Sequence, residues 1–472
     1  MHLGLTGMYK FDNGQISLED FEQPVGMHLK NENRWVKKVQ TIPWNKIEKR
    51  YAKLFSNKKG NVAKSLRLGL GACIIQAEYK YSDEEIVLQI QENPYLQYFC
   101  GYKGYDDSKP PFDHSLMVYF RKRLTPEILG EINEMIIESA TEKDEPVKND
   151  DDNSDDSGNS GTMIVDATCA PSQIKYPQDT ELLNEARENT EKLIDELHTK
   201  GNKKPRTYRK KAHKDYLSNV RSRKPSAKKI RKAIGKQLGY LRRNLNNIDI
   251  LIENGKKLKD KSAERLETVR KIYEQQKYMY DNHCHSVPDR IISVSQPWIR
   301  PIVRGKAKAK VEFGAKLDIS VVNGWTRLEY FGFDAYNEPT KLKDMIESYR
   351  KRTGHYPKKV LADKIYRNRE NLKYCKELGI TLSGPALGRP KKNEVRDKRQ
   401  DYIDEADRVE VERKFSLAKR KCGMGMIMTR LKETTCHCLA MSVLLLNLKK
   451  VQQLLAQLFC ALPHKNIFAF VQ

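Results

Sequence analysis

The sequence predicts an α/β fold: a mixed sheet that is broken by a long basic helical insertion and preceded by an all-helical region. Three observations predict it. Helix caps and helical apolar spacing run through the first 140 residues. The runs Met163-Ile164-Val165 and Val360-Leu361-Ala362 have the composition of buried strands. Residues 200 to 280 hold 26 Lys and Arg against 7 Asp and Glu, with apolar residues three or four apart.

Each element follows in order. Residues 1–140 read as a helical domain. Ser82 and Glu85 form a capping box, and Thr125-Pro126-Glu127 is a second helix start. Between them Ser115 to Arg123 makes a short aromatic and basic helix; its Arg121, Lys122 and Arg123 are candidates for contact with DNA or are simply solvated. Residues 141–161 carry eight acids and two lysines with almost nothing apolar, the composition of a disordered linker. A catalytic domain is expected over 162–450, interrupted by the basic insertion at 200–290, with a tail at 451–472.

The second half of the insertion reads as two long helices broken near Asn254-Gly255, with Ile230, Ile234, Leu238, Leu241, Leu245, Ile248 and Leu251 as the inward stripe. Lys228, Lys229, Arg231, Lys232, Arg242 and Arg243 would then face a polyanion. From Val311 the pattern becomes strands, turning at Asn323-Gly324 and returning from Trp325 to Phe333. A helix from Pro339, a strand ending at Asp363, a helix from about Arg367, a short strand at Ile380 and a Gly/Pro loop lead to the helix that bears Glu412. Arg389, in that loop, is a further candidate cation for a DNA groove.

A net charge of +25 and a pI near 9.4 call for a polyanionic partner, nucleic acid first, because neutralising phosphates releases counterions. The start of the chain has no charged flank followed by an apolar core. Its longest apolar run, Leu439 to Leu448, falls well short of the roughly 20 residues of a membrane span. A soluble cytoplasmic protein without membrane contact is expected. Nine scattered cysteines without a C-x-x-C pair read as reduced thiols. His283-Cys284-His285 and Cys436-His437-Cys438 lack the second ligand pair that a zinc site needs.

The chemistry rests on carboxylates. Arg408, Glu412 and Lys419 are spaced by four and seven residues, so on a helix they share one face: an acid for a metal ion flanked by two cations for phosphates. Asp166 and Asp363 each close an apolar strand, where a rigid scaffold aims a side chain at the crevice beyond the sheet. Three such acids suit Mg²⁺, with Mn²⁺ as the alternative, and in-line phosphodiester displacement. The blander readings are that Asp166 caps a turn, Asp363 caps the next helix and Glu412 only pairs with its cationic neighbours.

In these residues the chain resembles the DDE transposases of bacterial insertion sequences, in the group of the insertion-sequence-four and insertion-sequence-five branches. Asp166, Asp363 and Glu412 match that family's acids in order and context. Arg408, Glu412 and Lys419 match three members of its Tyr-Arg-Glu-Lys motif, whose tyrosine position holds Glu405, with Tyr402 one turn earlier. Leu361-Ala362-Asp363-Lys364-Ile365-Tyr366-Arg367 and Gly388-Arg389-Pro390 resemble the five-like branch. The resemblance implies an RNase H-like catalytic domain that binds terminal inverted repeats, frees a 3′-hydroxyl with water and joins it to target DNA. It further implies double-stranded DNA at the bacterial nucleoid as partner, and a homodimer holding the two transposon ends. A related nuclease that cuts without joining, or a DNA-binding protein without catalysis, fits the same residues.

Overall fold

The computed structural model of the chain describes residue 9 and residues 16–55, 62–142, 158–198, 204–303, 311–384 and 398–461. Most of the acidic linker, Arg389 and the tail beyond 461 lie outside the described residues.

Helices come first: α1 (Arg34–Thr41), α2 (Trp44–Ala52), α3 (Leu66–Tyr79), α4 (Asp83–Glu92), α5 (Pro94–Phe99), α6 (Leu116–Arg123) and α7 (Pro126–Thr141). Strand β1 (Thr162–Pro171) precedes α8 (Asp179–Leu197), α9 (Arg209–Val220), α10 (Ala227–Glu253) and α11 (Asp260–Asp281). Then come β2 (Arg300–Val303), β3 (Val311–Val322), β4 (Trp325–Gly332), α12 (Leu342–Thr353), β5 (Lys359–Leu361), α13 (Arg369–Glu377), β6 (Thr381–Leu382), α14 (Lys398–Lys421) and α15 (Lys432–Ala461). The fold is mixed α/β with a helical N-terminal region, consistent with an RNase H-like architecture.

Local chemistry accounts for many boundaries. Ser82 accepts the Glu85 amide at 3.0 Å to start α4, and Thr125 caps α7 ahead of Pro126. Asn323 and Gly324 both take positive φ, as the two-residue turn joining β3 to β4 requires. Gly255 takes φ +79 just after α10 ends.

By its contacts the chain divides into two compact units, one of residues 1–170, 317–331 and 337–472, the other of 171–316 and 332–336. In the first unit the strands order as β3-β1-β5-β6, with β4 on β3. β1 and β5 run parallel with Met163 opposite Val360 and Ile164 opposite Leu361, and β5 runs parallel to β6. Met163, Val165, Val360 and Leu382 meet Leu342, Met345 and Ile346 of α12, each fully buried aliphatic side chain contributing ~1.5–3 kcal/mol.

Helix α15 corrects the expectation of a short apolar run: over Lys432–Gln457 it is long and apolar enough to cross a membrane, but 61% of that apolar window is buried within the protein. It packs on α1, α3, α6 and α7. Its polar interruptions are satisfied in place. Asn447 accepts from the Thr326 amide at 2.9 Å and donates to Thr326 O and Asn133 Oδ1, both at 2.7 Å, tying α15 to β4 and α7.

At Arg121, one of the candidate cations of α6, the side chain turns inward. Its guanidinium is buried and forks onto Asp83 at 2.7 and 2.5 Å, with a further bond to Gln76. Arg123 lies over the Phe55 ring at 4.9 Å, and Lys122 is exposed.

The second unit begins directly after β1, earlier than residue 200, because α8 packs along α10 and α11 and supplies Leu182, Leu183 and Ile194 to their core. The predicted stripe on α10 is buried at Leu238, Leu241, Leu245 and Ile248 and packed at Ile234 and Leu251, whereas Ile230 in the first turn is exposed. In the same unit β2 pairs antiparallel with the first residues of β3.

Candidate functional site

Asp166 lies in the middle of β1 and not at its end, since the strand continues to Pro171. The parallel register places it two residues past Ile164, and Asp363 two residues past its partner Leu361. Both acids therefore stand two residues beyond a paired position, Asp166 still inside β1 and Asp363 just past the end of β5, and the charge of Asp363 is felt at the Asp166 carboxyl. Asp363 is exposed and accepts the Lys364 amide at 2.7 Å, capping a 3-10 turn at Lys364–Tyr366. Asp166 is half-buried and accepts the amide of Ala167 at 2.8 Å.

Burial pushes the Asp166 carboxyl up to about 6; the Ala167 amide and the Arg408 guanidinium oppose this, while the charges of Glu338 and Asp363 add to it. Glu338 is the acid that sequence reasoning missed. It opens a 3-10 turn, Glu338–Lys341, ahead of α12. Buried Asn371 holds that turn beside the one after Asp363, donating to Pro339 O and Tyr366 O, both at 2.9 Å. The signal available in the sequence was the Asn337-Glu338-Pro339 helix start, which marks a turn and carries nothing about its distance from Asp166. Below it, buried Tyr366 donates to Asp318 at 3.1 Å, and desolvation together with Asp318, Glu338 and Asp166 holds its phenol protonated.

Helix α14 is set on this sheet by three lysines. Lys359 of β5 pairs with Asp404, Lys414 donates to Gly324 O at 2.7 Å, and Lys419 donates to Thr168 Oγ1 at 2.9 Å, two residues beyond Asp166. Val411, Phe415 and Ala418 form its buried stripe. Arg408 and Glu412 sit between these anchors and bond each other at 3.2 Å, with Glu412 about half exposed. Glu405, where the related motif has tyrosine, is exposed, as is Tyr402.

The structure thus draws Asp166, Asp363, Glu338 and Arg408 into one electrostatic neighbourhood, while Glu412 is engaged by Arg408. Among the described residues no three His, Cys, Asp or Glu side chains stand close enough to hold a metal ion between them. The donor chemistry nevertheless fits a hard divalent cation: the donors are carboxylates alone, and their repulsion adds to the burial that raises Asp166, an effect a bound cation would oppose. Neither soft-ligand cluster competes. His437 is fully buried with Nδ1 against Leu124 O at 2.8 Å, and burial lowers its pKa to about 4.

The cations expected on α10 meet different fates. Arg231 lies over the Tyr280 ring at 4.1 Å and 3.2 Å from His283 Nε2, and Arg243 lies over the Tyr208 ring at 4.6 Å. Lys228, Lys229, Lys232 and Arg242 are exposed.

Comparison with known proteins now bears on this geometry. A family model described as Transposase DDE domain matches residues 360–449, which take in Asp363, Arg408, Glu412 and Lys419. A second, described as Transposase domain, matches residues 24–123 of the helical region. An uncharacterized protein, ORF8 in the nfe locus of Rhizobium meliloti, is 30% identical over 151 residues, covering 31% of this chain and 66% of that protein. No solved structure matches. The family implies DNA as partner and a divalent metal as cofactor. One match over the helical region and another running from the strand before Asp363 through the helix of Glu412 together support a DDE transposase of insertion sequences.

Proposed function

We propose that this chain binds the terminal inverted repeats of its own insertion sequence, cleaves the DNA end to release a 3′-hydroxyl and joins that hydroxyl to target DNA, as a dimer on DNA and within the five-like branch. The observation that supports the reading is the parallel pairing of β1 with β5, two residues beyond which Asp166 and Asp363 stand, with the charges of Asp363 and of Arg408 on the Glu412 helix both felt at the Asp166 carboxyl.

Asp166, Asp363 and Glu412 would hold Mg²⁺ or Mn²⁺, Glu412 joining once Arg408 releases it. When bound, the ion supplies Lewis-acid polarisation of a phosphodiester oxygen. Arg408, freed from Glu412, clamps a non-bridging phosphate oxygen and offsets charge in the transition state. Lys419, steadied by Thr168, keeps a second cation beside β1. A phosphate and Glu412 therefore compete for Arg408, so binding of the DNA end itself draws the acid free.

The test is a labelled duplex carrying the element's terminal repeat, incubated with Mg²⁺ or with chelator, comparing the native chain with Glu412→Gln. Metal-dependent release and joining that the variant loses support the proposal. Cutting without joining of pre-cleaved ends points to a nuclease, and binding without any cut leaves a DNA-binding protein on the same fold.

A further inference from the structure

Helix α9 and its C-terminal cap carry Lys210, His213, Lys214, Leu217, Ser218 and Arg221 at steps of three and four residues, so they form one face. Together with Ser222 and Lys229 that face lines an open cleft of about 620 Å³. Lys210, Lys214, Arg221 and Lys229 make no ion pair among the described residues, and Glu188 lies 4.0 Å from His213 Nδ1. Neighbouring cations behave otherwise. Lys204 and Arg209 pair with Asp195, and Lys236 with Asp215, whose other oxygen accepts from Tyr240 at 2.8 Å. The acid of α9 is thus consumed on the opposite side, and the cleft side keeps its positive charge uncompensated. Like charges crowded without counter-ions cost free energy unless an anion joins them.

We infer that the α9 cleft is a binding site for the phosphate backbone of duplex DNA, read without sequence specificity by Lys210, Lys214, Arg221 and Lys229. This rests on the DNA-directed reading above and adds the face of α9 to Lys229 of α10 as the contact surface. The helix rise separates Lys210 from Lys214 by ~6 Å and Lys214 from Arg221 by ~10.5 Å. These are about two and three base-pair rises at ~3.4 Å along the duplex axis, so the face can reach several phosphates along the backbone. Ser218 and Ser222 add hydroxyl donors at the same wall.

The full chain carrying Lys210→Ala, Lys214→Ala and Arg221→Ala is titrated with a duplex of unrelated sequence over a range of salt. Each lost phosphate contact flattens the plot of log K against log salt by ~0.9, about 2.7 for the three. An unchanged melting temperature shows that the variant folds, and Lys236→Ala, which removes a paired cation, leaves the slope as it was. A steep native slope that the triple variant retains overturns the cleft while leaving DNA as partner. A native chain that does not bind duplex at all overturns both.

Discussion

Helices α14 and α9 are both crowded with cations, and they use them in opposite ways. On α14 the charges are engaged by the fold itself: Arg408 on Glu412, Lys414 on a turn carbonyl, Lys419 on Thr168. On α9, Lys210 and Lys214, with Arg221 at its C-terminal cap, make no ion pair among the described residues. The lesson is that a net charge of +25 does not distribute function evenly. Cations that position a sheet and cations that await a polyanion look alike in composition and differ only in what the fold brings to them.

The comparison is broken most sharply at the acids. Under the proposed function Asp363→Asn and Glu412→Gln each lower end cleavage by more than ~100-fold, while the salt slope of DNA binding stays native. A change in slope would mean that these acids shape the DNA-binding surface, and comparable cleavage would separate them from the chemistry.

Among buried cations, Arg121→Ala removes the fork on Asp83 and costs about 3–5 kcal/mol in chemical denaturation, because it leaves a partly buried carboxylate without its partner. Loss of DNA affinity without loss of stability would return Arg121 to the DNA-facing set.

The pH dependence sharpens the Asp166 side of the contrast. Its folded pKa lies near 6, above the 3.8 of a free Asp, so the folded state holds the proton more tightly. Stability is then fully present below about pH 4 and is lost as the pH rises through 6. Asp166→Asn should therefore stabilise the protein by up to ~3 kcal/mol at pH 8 and by almost nothing at pH 4. In a Glu338→Gln background the gain shrinks, since one of the charges that raises Asp166 is gone. A pH-independent difference between Asp166→Asn and the native chain would remove the acid cluster as its cause.

The smaller effects test the two helices directly. Lys414→Ala loses a largely buried bond to the β3–β4 turn and costs ~1–2 kcal/mol by thermal or denaturant unfolding. Single Lys210→Ala or Lys214→Ala changes stay within ~0.5 kcal/mol, as expected of side chains that make no ion pair among the described residues. A larger loss would show that α9 uses these lysines structurally.

Much of the fold was legible because the signals were local. Ser82 and Thr125 mark helix starts, Asn323-Gly324 a hairpin and Gly255 a break, each through bonds or dihedral preferences spanning a few residues. Helix α8 and strand β2 went unread. α8 is rich in charged and polar side chains along its length, and β2 is four residues long, too short for a period to declare itself. At the site, the apolar runs pointed to Asp166 and Asp363, but nothing near Glu338 marked it.

The sequence by itself determined most of the elements, the order of those, and the face shared by Arg408, Glu412 and Lys419, because helical and strand periods are intrinsic to the chain. Only the tertiary structure decided that Arg121 faces Asp83, that Asn371 brings the turn of Glu338 beside that of Asp363, and that the acids of the second unit leave one side of α9 uncompensated. Those outcomes depend on which charges burial brings within a few ångströms of one another. Coulomb energy and desolvation follow distance in space, and separation along the chain does not report it.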